Sequence, residues 1–111
     1  MPPDARRVPV PATPPDLTVT GEVVEWRGPA PFHFLVLPPA DADWLHAVVR
    51  EITYGWGMVP VTGRIGGTSF TTSLWPRHGS FVVPLKDAVR AAEDVGLGDV
   101  VTAEVWLRWD S

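Results

Sequence analysis

The sequence lacks cysteine, contains a single lysine and has no long apolar run. Without cysteine there is no disulfide framework, thiol nucleophile or thiolate metal site, which suits the reducing cytoplasm where we expect the protein to work. A membrane helix needs roughly 18 or more consecutive apolar residues, so we expect no contact with a membrane. Thirteen acidic residues outnumber nine basic ones, giving a formal charge of −4. This balance disfavours nucleic acid as a partner, because neutralising phosphates requires an excess of Lys and Arg.

Prolines are concentrated at the start of the chain, where residues 1–16 contain six of the thirteen. Few large apolar side chains accompany them, so burial there cannot offset the entropy lost on ordering. We therefore predict a disordered, proline-rich arm over residues 1–16 and one folded domain over residues 17–111. The alternative is that the arm docks into an aromatic groove, as proline-rich segments do in peptide-recognition domains.

The hydropathy pattern of the folded part predicts six strands and two short helices. Alternating apolar residues and bounding Gly and Pro mark the strands, and Gly66-Gly67 is a two-residue hairpin signal. Asp41 is the expected N-cap of the first helix, and Pro84 is expected to open the second. Short strands joined by turns favour an antiparallel sheet that curls into a small split β-barrel capped by the helices. The predicted strands cover residues 17–26, 32–37, 58–65, 68–75, 80–83 and 100–109, and the helices cover residues 40–54 and 85–95.

A series of short motifs resembles the bacterial family known as domain of unknown function 1905. The resemblance runs from about Leu17 to Leu107 and implies a split β-barrel similar in shape to the AbrB/MazE-type swapped-hairpin barrels. It implies no chemistry, because none is established for the family. The motifs are Gly21-x-Val23, Phe34-x-Val36-x-Pro38, Gly55-Trp56-Gly57, Val59-Pro60-Val61, Gly63-Arg64-Ile65-Gly66-Gly67, Val83-Pro84-Leu85-Lys86 and Gly98-Asp99-Val100-Val101.

Basic and aromatic residues form the most informative candidate site. Lys86 and Arg90 are spaced i, i+4 in the second predicted helix, and two tryptophans flank the Gly66-Gly67 hairpin. If that helix covers the barrel mouth, cations and indole rings border one concavity suited to a small anionic or aromatic ligand. The alternative to ligand binding is a structural role, in which the tryptophans belong to the core and Arg90 pairs with Glu93 or Asp94. The candidate ligand-binding residues are Trp56, Arg64, Ser73, Trp75, His78, Lys86 and Arg90.

Catalytic and metal-binding patterns are weak in this sequence. His33, His46 and His78 have no spacing that places two ligands on one face, so we expect no metal and no cofactor. Ser73 and His78 are the nearest approach to a nucleophile and base, but no nucleophile elbow surrounds the serine. We therefore expect no catalytic residues, and a small enzyme using this pair is the second alternative.

The final predicted strand carries two tryptophans, at positions 106 and 109, that have opposite parity. Both cannot point into one barrel, so one is expected to anchor a protein partner or a second copy of the chain. Together these patterns favour a non-catalytic binding module for a small ligand or a protein partner, with a homodimer as one form. The first alternative is nucleic-acid or toxin-partner binding by analogy with AbrB and MazE.

Overall fold

The computed structural model describes residues 8–29, 31–49 and 57–108, which form a curled antiparallel sheet and two short helices. No helix in this part of the chain is long and apolar enough to cross a membrane. The predicted mainly β, helix-capped architecture is confirmed. The elements are β1 (Leu17–Glu22), β2 (Val24–Trp26), β3 (Phe32–Val36), α1 (Pro39–Val48), β4 (Val59–Ile65), β5 (Thr68–Arg77), β6 (Ser80–Leu85), α2 (Asp87–Glu93) and β7 (Val100–Leu107).

The sheet is a half-barrel whose two edge strands, β1 and β2, are consecutive in the chain. Its strand order is β1-β7-β4-β5-β6-β3-β2, so β1 and β2 lie at opposite edges. Only Val23 separates these two strands, which requires the sheet to curl until its edges approach each other. Val23 is fully buried there, and its backbone bonds the Asp99 carbonyl and the Gly98 amide. The strand predicted over residues 17–26 is thus two strands, one on each edge.

Alternate residues of each strand fill the concave side, as the two-residue period of a strand dictates. Leu35 of β3, Leu74 of β5 and Val105 of β7 are completely buried there. Gly63 of β4 leaves room for Phe70, whose ring would lie 2.7 Å from a Cβ at that position. The helices close this side, because Leu45 of α1 and Val89 of α2 belong to the same core cluster.

The first helix begins earlier than predicted and is not capped by Asp41. α1 starts at Pro39 with Pro38 in the N-cap position, and no side chain caps it. Proline is tolerated there because its missing N–H would have no intrahelical partner. Asp41 lies in the first turn, where the helix dipole favours an anion. The structure ends α1 at Val48, next to a second β-branched residue, whereas the predicted remainder, residues 50–54, lies outside the described residues.

The second helix is shorter than predicted because Pro84 and Leu85 belong to β6. Pro84 pairs with Phe34 of β3 and lies beyond the stretch of β6 that pairs with β5. A residue without an N–H is acceptable in a strand where one side has no ladder partner. α2 therefore spans Asp87–Glu93, and Asp94 ends it in the left-handed conformation at φ 53°.

Residues 8–16 of the predicted arm have no helix or strand, yet they lie on the convex face of the sheet. The Ser69 hydroxyl donates to the Val8 carbonyl, and the Trp106 indole N–H donates to the Thr13 carbonyl at 2.8 Å. Trp106 alternates with the core residues of β7 and therefore points away from the barrel interior. It is only 4% exposed, and the arm lies against it through the bond to Thr13. The other tryptophan of the parity argument, at position 109, lies outside the described residues.

Candidate functional site

The structure separates two members of the predicted mouth-side site, because Arg64 and Trp75 lie at opposite ends of the β4–β5 hairpin. Arg64 pairs with Ser69 at the start of β5, and Trp75 lies six residues further along that strand. Such a separation corresponds to about 20 Å of extended chain. Trp56, the other predicted indole, lies outside the described residues.

Arg64 is occupied by a local ion pair on the convex face. Its guanidinium bonds Glu104 of β7 at 2.6 Å, and it lies over the Trp106 ring with 5.4 Å to the ring centroid. Both side chains of the pair are about one-third exposed, so the interaction contributes only about 0–1 kcal/mol. Arg64 thus fixes the position of Trp106 instead of facing a ligand cavity.

Lys86 and Arg90 do not share a helix face, because Lys86 precedes α2 in an extended conformation. The Lys86 ammonium donates to the Thr71 carbonyl at 3.0 Å. Arg90 bonds the Asp87 carboxylate and the Leu85 carbonyl, so its partner is neither Glu93 nor Asp94. The i, i+4 arrangement was wrong because the helix begins after the lysine.

Ser73 and His78 are not brought together as a nucleophile and base. His78 lies in the two-residue turn after β5, and roughly 15 Å of extended chain separates it from Ser73. The other two histidines have local partners: His33 lies 3.7 Å from Glu25, and His46 bonds the Gly79 carbonyl at 3.1 Å. Among the described residues no three His, Cys, Asp or Glu side chains are grouped as metal ligands.

A different set of residues forms a partly exposed aromatic cluster on the convex face of β2, β3, β5 and β6. Phe32 and Phe34 alternate with Leu35, which lies in the core, so both phenylalanines point outward. Strand pairing sets Trp26 opposite Phe32 and Trp75 opposite Val82. These neighbours share a face of the sheet because directly paired residues point the same way.

Phe32 is the centre of this cluster. Its ring centroid lies 4.9 Å from that of Trp75, 5.1 Å from that of Phe34 and 5.8 Å from that of Trp26. The rings are tilted, as the aromatic quadrupole favours. The Arg77 guanidinium lies over Phe34, 5.5 Å from its centroid. We call these five residues the aromatic patch: Trp26, Phe32, Phe34, Trp75 and Arg77.

A cavity of about 220 Å³ opens within the aromatic patch. Drug-sized ligands occupy pockets of about 300–1,000 Å³, so this cavity fits one ring and its substituents. Trp75 remains 38% exposed at the cavity wall, although most large apolar residues of the described chain are buried. The lining residues are Trp26, Phe32, Trp75, Pro76, Arg77 and Val82.

Gly28 supports one wall of the cavity from the hairpin between β2 and β3. A Cβ at this position would overlap the six-membered ring of Trp26, so the indole packs directly on the glycine backbone. This contact fixes the indole against the hairpin and holds it beside Phe32. Gly28 is therefore a positioning residue for the aromatic patch.

Sequence reasoning identified Trp75 but missed the other four members of the aromatic patch. The missed signal lay in Phe32–Val36, where large apolar residues occupy both parities. A strand that is apolar on both faces either lies inside a protein or carries an apolar patch outside. Arg77 lay between the predicted strands 68–75 and 80–83, and its proximity to Phe34 depends on the pairing of β6 with β3.

The family model described as Domain of unknown function (DUF1905) matches residues 20–105. The chain belongs to this family. The DUF1905 match begins within β1 and ends within β7, so it covers the half-barrel, including the aromatic patch. No curated protein and no solved structure matches the chain. The comparisons thus contain nothing that tests nucleic-acid or toxin-partner binding, which stays a prediction.

Proposed function

We propose that this domain is a non-catalytic binding module whose aromatic patch takes a small ligand with an aromatic ring and a negative charge. The observation that carries the proposal is the 220 Å³ cavity with an arginine and aromatic walls on the outside of a filled core. A sheet needs no such cluster on its convex face for folding, because the concave side already contains the apolar core.

The patch combines two complementary attractions. A ligand ring placed against Trp75 and Phe32 gains about 0.5–1.5 kcal/mol per favourable aromatic pair, beyond its burial. No carboxylate of the described residues lies within 4 Å of the Arg77 guanidinium, although Arg27, Arg64 and Arg90 each have one. A ligand carboxylate could therefore form the paired hydrogen bonds that a guanidinium favours.

The chemistry of the lining supports binding more than catalysis. General acid–base or nucleophilic catalysis requires an imidazole, carboxylate, hydroxyl or thiol near the reacting atoms. The residues lining the cavity present indole, phenyl, proline, valine and guanidinium groups. Of these only the guanidinium is charged, and it suits the binding of an anion.

Benzoate is a suitable probe, because it has one ring and one carboxylate. We expect it to bind with a Kd on the order of 1 mM, as suits a ligand of few atoms. Trp75→Ala should weaken this binding about tenfold, since the ring contact and its buried area contribute about 1.4 kcal/mol. Trp44→Ala is the matched control, because Trp44 is 39% exposed on α1 and outside the patch.

Two further probes separate the contribution of the carboxylate to binding from that of the aromatic ring. Cyclohexanecarboxylate has the charge without the aromatic ring, and benzamide has the ring without the charge. Arg77→Gln should remove the preference for benzoate over benzamide, whereas Arg108→Gln, at the end of β7, should keep it. Equal benzoate affinity in the wild type, Trp75→Ala and Arg77→Gln would contradict the proposed function.

A further inference from the structure

A second groove lies on the convex face, between the described part of the arm and strands β4 and β7. Its volume is about 690 Å³, and its floor includes Thr62, Trp106 and Leu107. Thr62 and Trp106 are directly paired across β4 and β7, and both are buried although they point outward. Residues 8–16 provide the cover, so this part of the sheet is a surface already adapted to a chain segment.

The sheet holds the arm through two backbone carbonyls and one side chain, the Asp16 carboxylate, which accepts from the Leu107 backbone N–H at 2.8 Å. The Ser69 hydroxyl and the Trp106 indole N–H both donate to arm carbonyls, those of Val8 and Thr13. Most residues of the arm are exposed, and Pro9, Pro11 and Pro14 line the open side of the groove. Recognition through the two carbonyls depends on an extended backbone, and the Asp16 carboxylate adds one side-chain contact.

Prolines make a segment suitable for this kind of recognition. Each fixes φ near −65° and removes an N–H, so the segment stays extended and cannot join the sheet as a ladder strand. An aromatic groove that donates hydrogen bonds to carbonyls is the usual partner of such segments, because little entropy is lost on binding. An indole N–H supplies such a donor, and Trp106 uses it on the arm.

We infer that the groove over Thr62, Trp106 and Leu107, called here the Trp106 groove, is a recognition site for extended proline-rich segments. The chain's own arm occupies it in this structure, and a proline-rich segment of a partner protein replaces the arm on binding. The groove remains partly open beside the arm, which leaves space for exchange. The tether gives the arm an effective concentration in the millimolar range, so a partner segment binds when the arm is weakened or outcompeted. This site is separate from the aromatic patch and does not depend on its function.

The test uses the full chain with Pro9, Pro11 and Pro14 all replaced by glycine, and a synthetic peptide of residues 8–16. Glycine raises the entropy lost on ordering the arm, so we expect the Trp106 indole N–H to exchange with solvent at least tenfold faster than in the wild type. The peptide should restore that protection with saturation, whereas a composition-matched peptide without proline should not. An unchanged exchange rate, or no effect of the peptide, would overturn the inference.

Two additional variants in this glycine background locate the binding. Trp106→Phe and Ser69→Ala each remove one donor, and each should raise the Kd of the peptide, measured by isothermal titration, about two- to tenfold, the range of one hydrogen bond. Ser69→Ala changes little volume, so it stays informative if Trp106→Phe fails to fold. Ser73→Ala is the control, because this serine points outward from the same strand without bonding the arm. Equal affinities in Ser69→Ala and Ser73→Ala would count against the assignment.

The arm of a second copy is the other occupant that the experiment distinguishes. An exchange of arms between two copies would give a concentration-dependent dimer in the wild type, measured by light scattering, that the triple glycine variant abolishes. That result would assign the groove to self-association and overturn the proposed partner segment. A chain that stays monomeric while the variant binds the peptide supports the inference.

Discussion

The contact between Gly28 and Trp26 shows how much a single missing side chain can determine. The indole occupies the position that a Cβ would take, and it forms one wall of the aromatic cavity as a result. We expect Gly28→Ala to move the indole and weaken benzoate binding about two- to tenfold, the worth of one aromatic contact.

Gly21→Ala is the control for this change, because a Cβ at Gly21 meets nothing within 4 Å. Isothermal titration of benzoate into both variants measures the difference. Circular dichroism confirms that both are folded. Equal affinities in Gly28→Ala and Gly21→Ala would show that the position of the Trp26 ring does not matter for binding.

The bonding partners of the candidate site residues were what the sequence predicted least well. Arg64 bonds Glu104 and Lys86 bonds the Thr71 carbonyl, partners that only the fold brings near, whereas Arg90 bonds Asp87 on its own helix. For Trp106 the parity argument was incomplete, because it predicted that one of two tryptophans points outward without saying which. Parity could not show that a segment ninety residues earlier covers it.

At the scale of elements, the β5–β6 hairpin shows what His78 does. His78 and Gly79 form its two-residue turn with φ of 51° and 79°. Positive φ at both positions is the requirement of a type I′ turn, in which Asn-Gly is the preferred pair. The histidine therefore occupies a position chosen for backbone conformation.

We expect His78→Asn to raise the free energy of unfolding by about 0.5 kcal/mol, because asparagine adopts this conformation more readily. His78→Val should lower it by about 1–2 kcal/mol, since a β-branched residue resists positive φ. Chemical denaturation measures both. A His78→Val variant as stable as the wild type would show that the turn imposes no such demand.

Turn chemistry was the most predictable feature of the elements, and helix starts were the least. Gly66-Gly67 was correctly expected to join two paired strands, and Gly66 has φ of 56°. Pro84 was expected to begin a helix, because proline favours both the first turn of a helix and the unpaired part of a strand. Only the pairing of β6 with β3 decides between these, and sequence periodicity does not contain it.

At the scale of the whole molecule, one core joins the two parts of the sheet, which are β1-β7-β4 on one side of β5 and β6-β3-β2 on the other. β5 pairs with β4 up to Leu74 and with β6 from Trp75, so it crosses from one part to the other. Leu74 is completely buried at this crossing. Loss of its side chain leaves a cavity between the two parts, and we expect them to unfold together.

Leu74→Ala should lower the free energy of unfolding by about 2–5 kcal/mol. Leu97→Ala is the control, because Leu97 is 54% exposed and should change stability by less than about 0.5 kcal/mol. Unfolding followed by circular dichroism and by tryptophan fluorescence should give one coincident transition. Two separated transitions in the wild type would contradict a shared core.

The most direct test of the aromatic patch is a two-dimensional NMR titration of the full chain with benzoate, following the tryptophan indole N–H signals. The indole signals of Trp26 and Trp75 should shift and saturate together, because both rings line the cavity. Those of Trp44 and Trp106 should stay in place, since Trp44 lies on α1 and Trp106 lies under the arm. Binding that leaves Trp26 and Trp75 unchanged, or shifts all four signals equally, would contradict the proposed site.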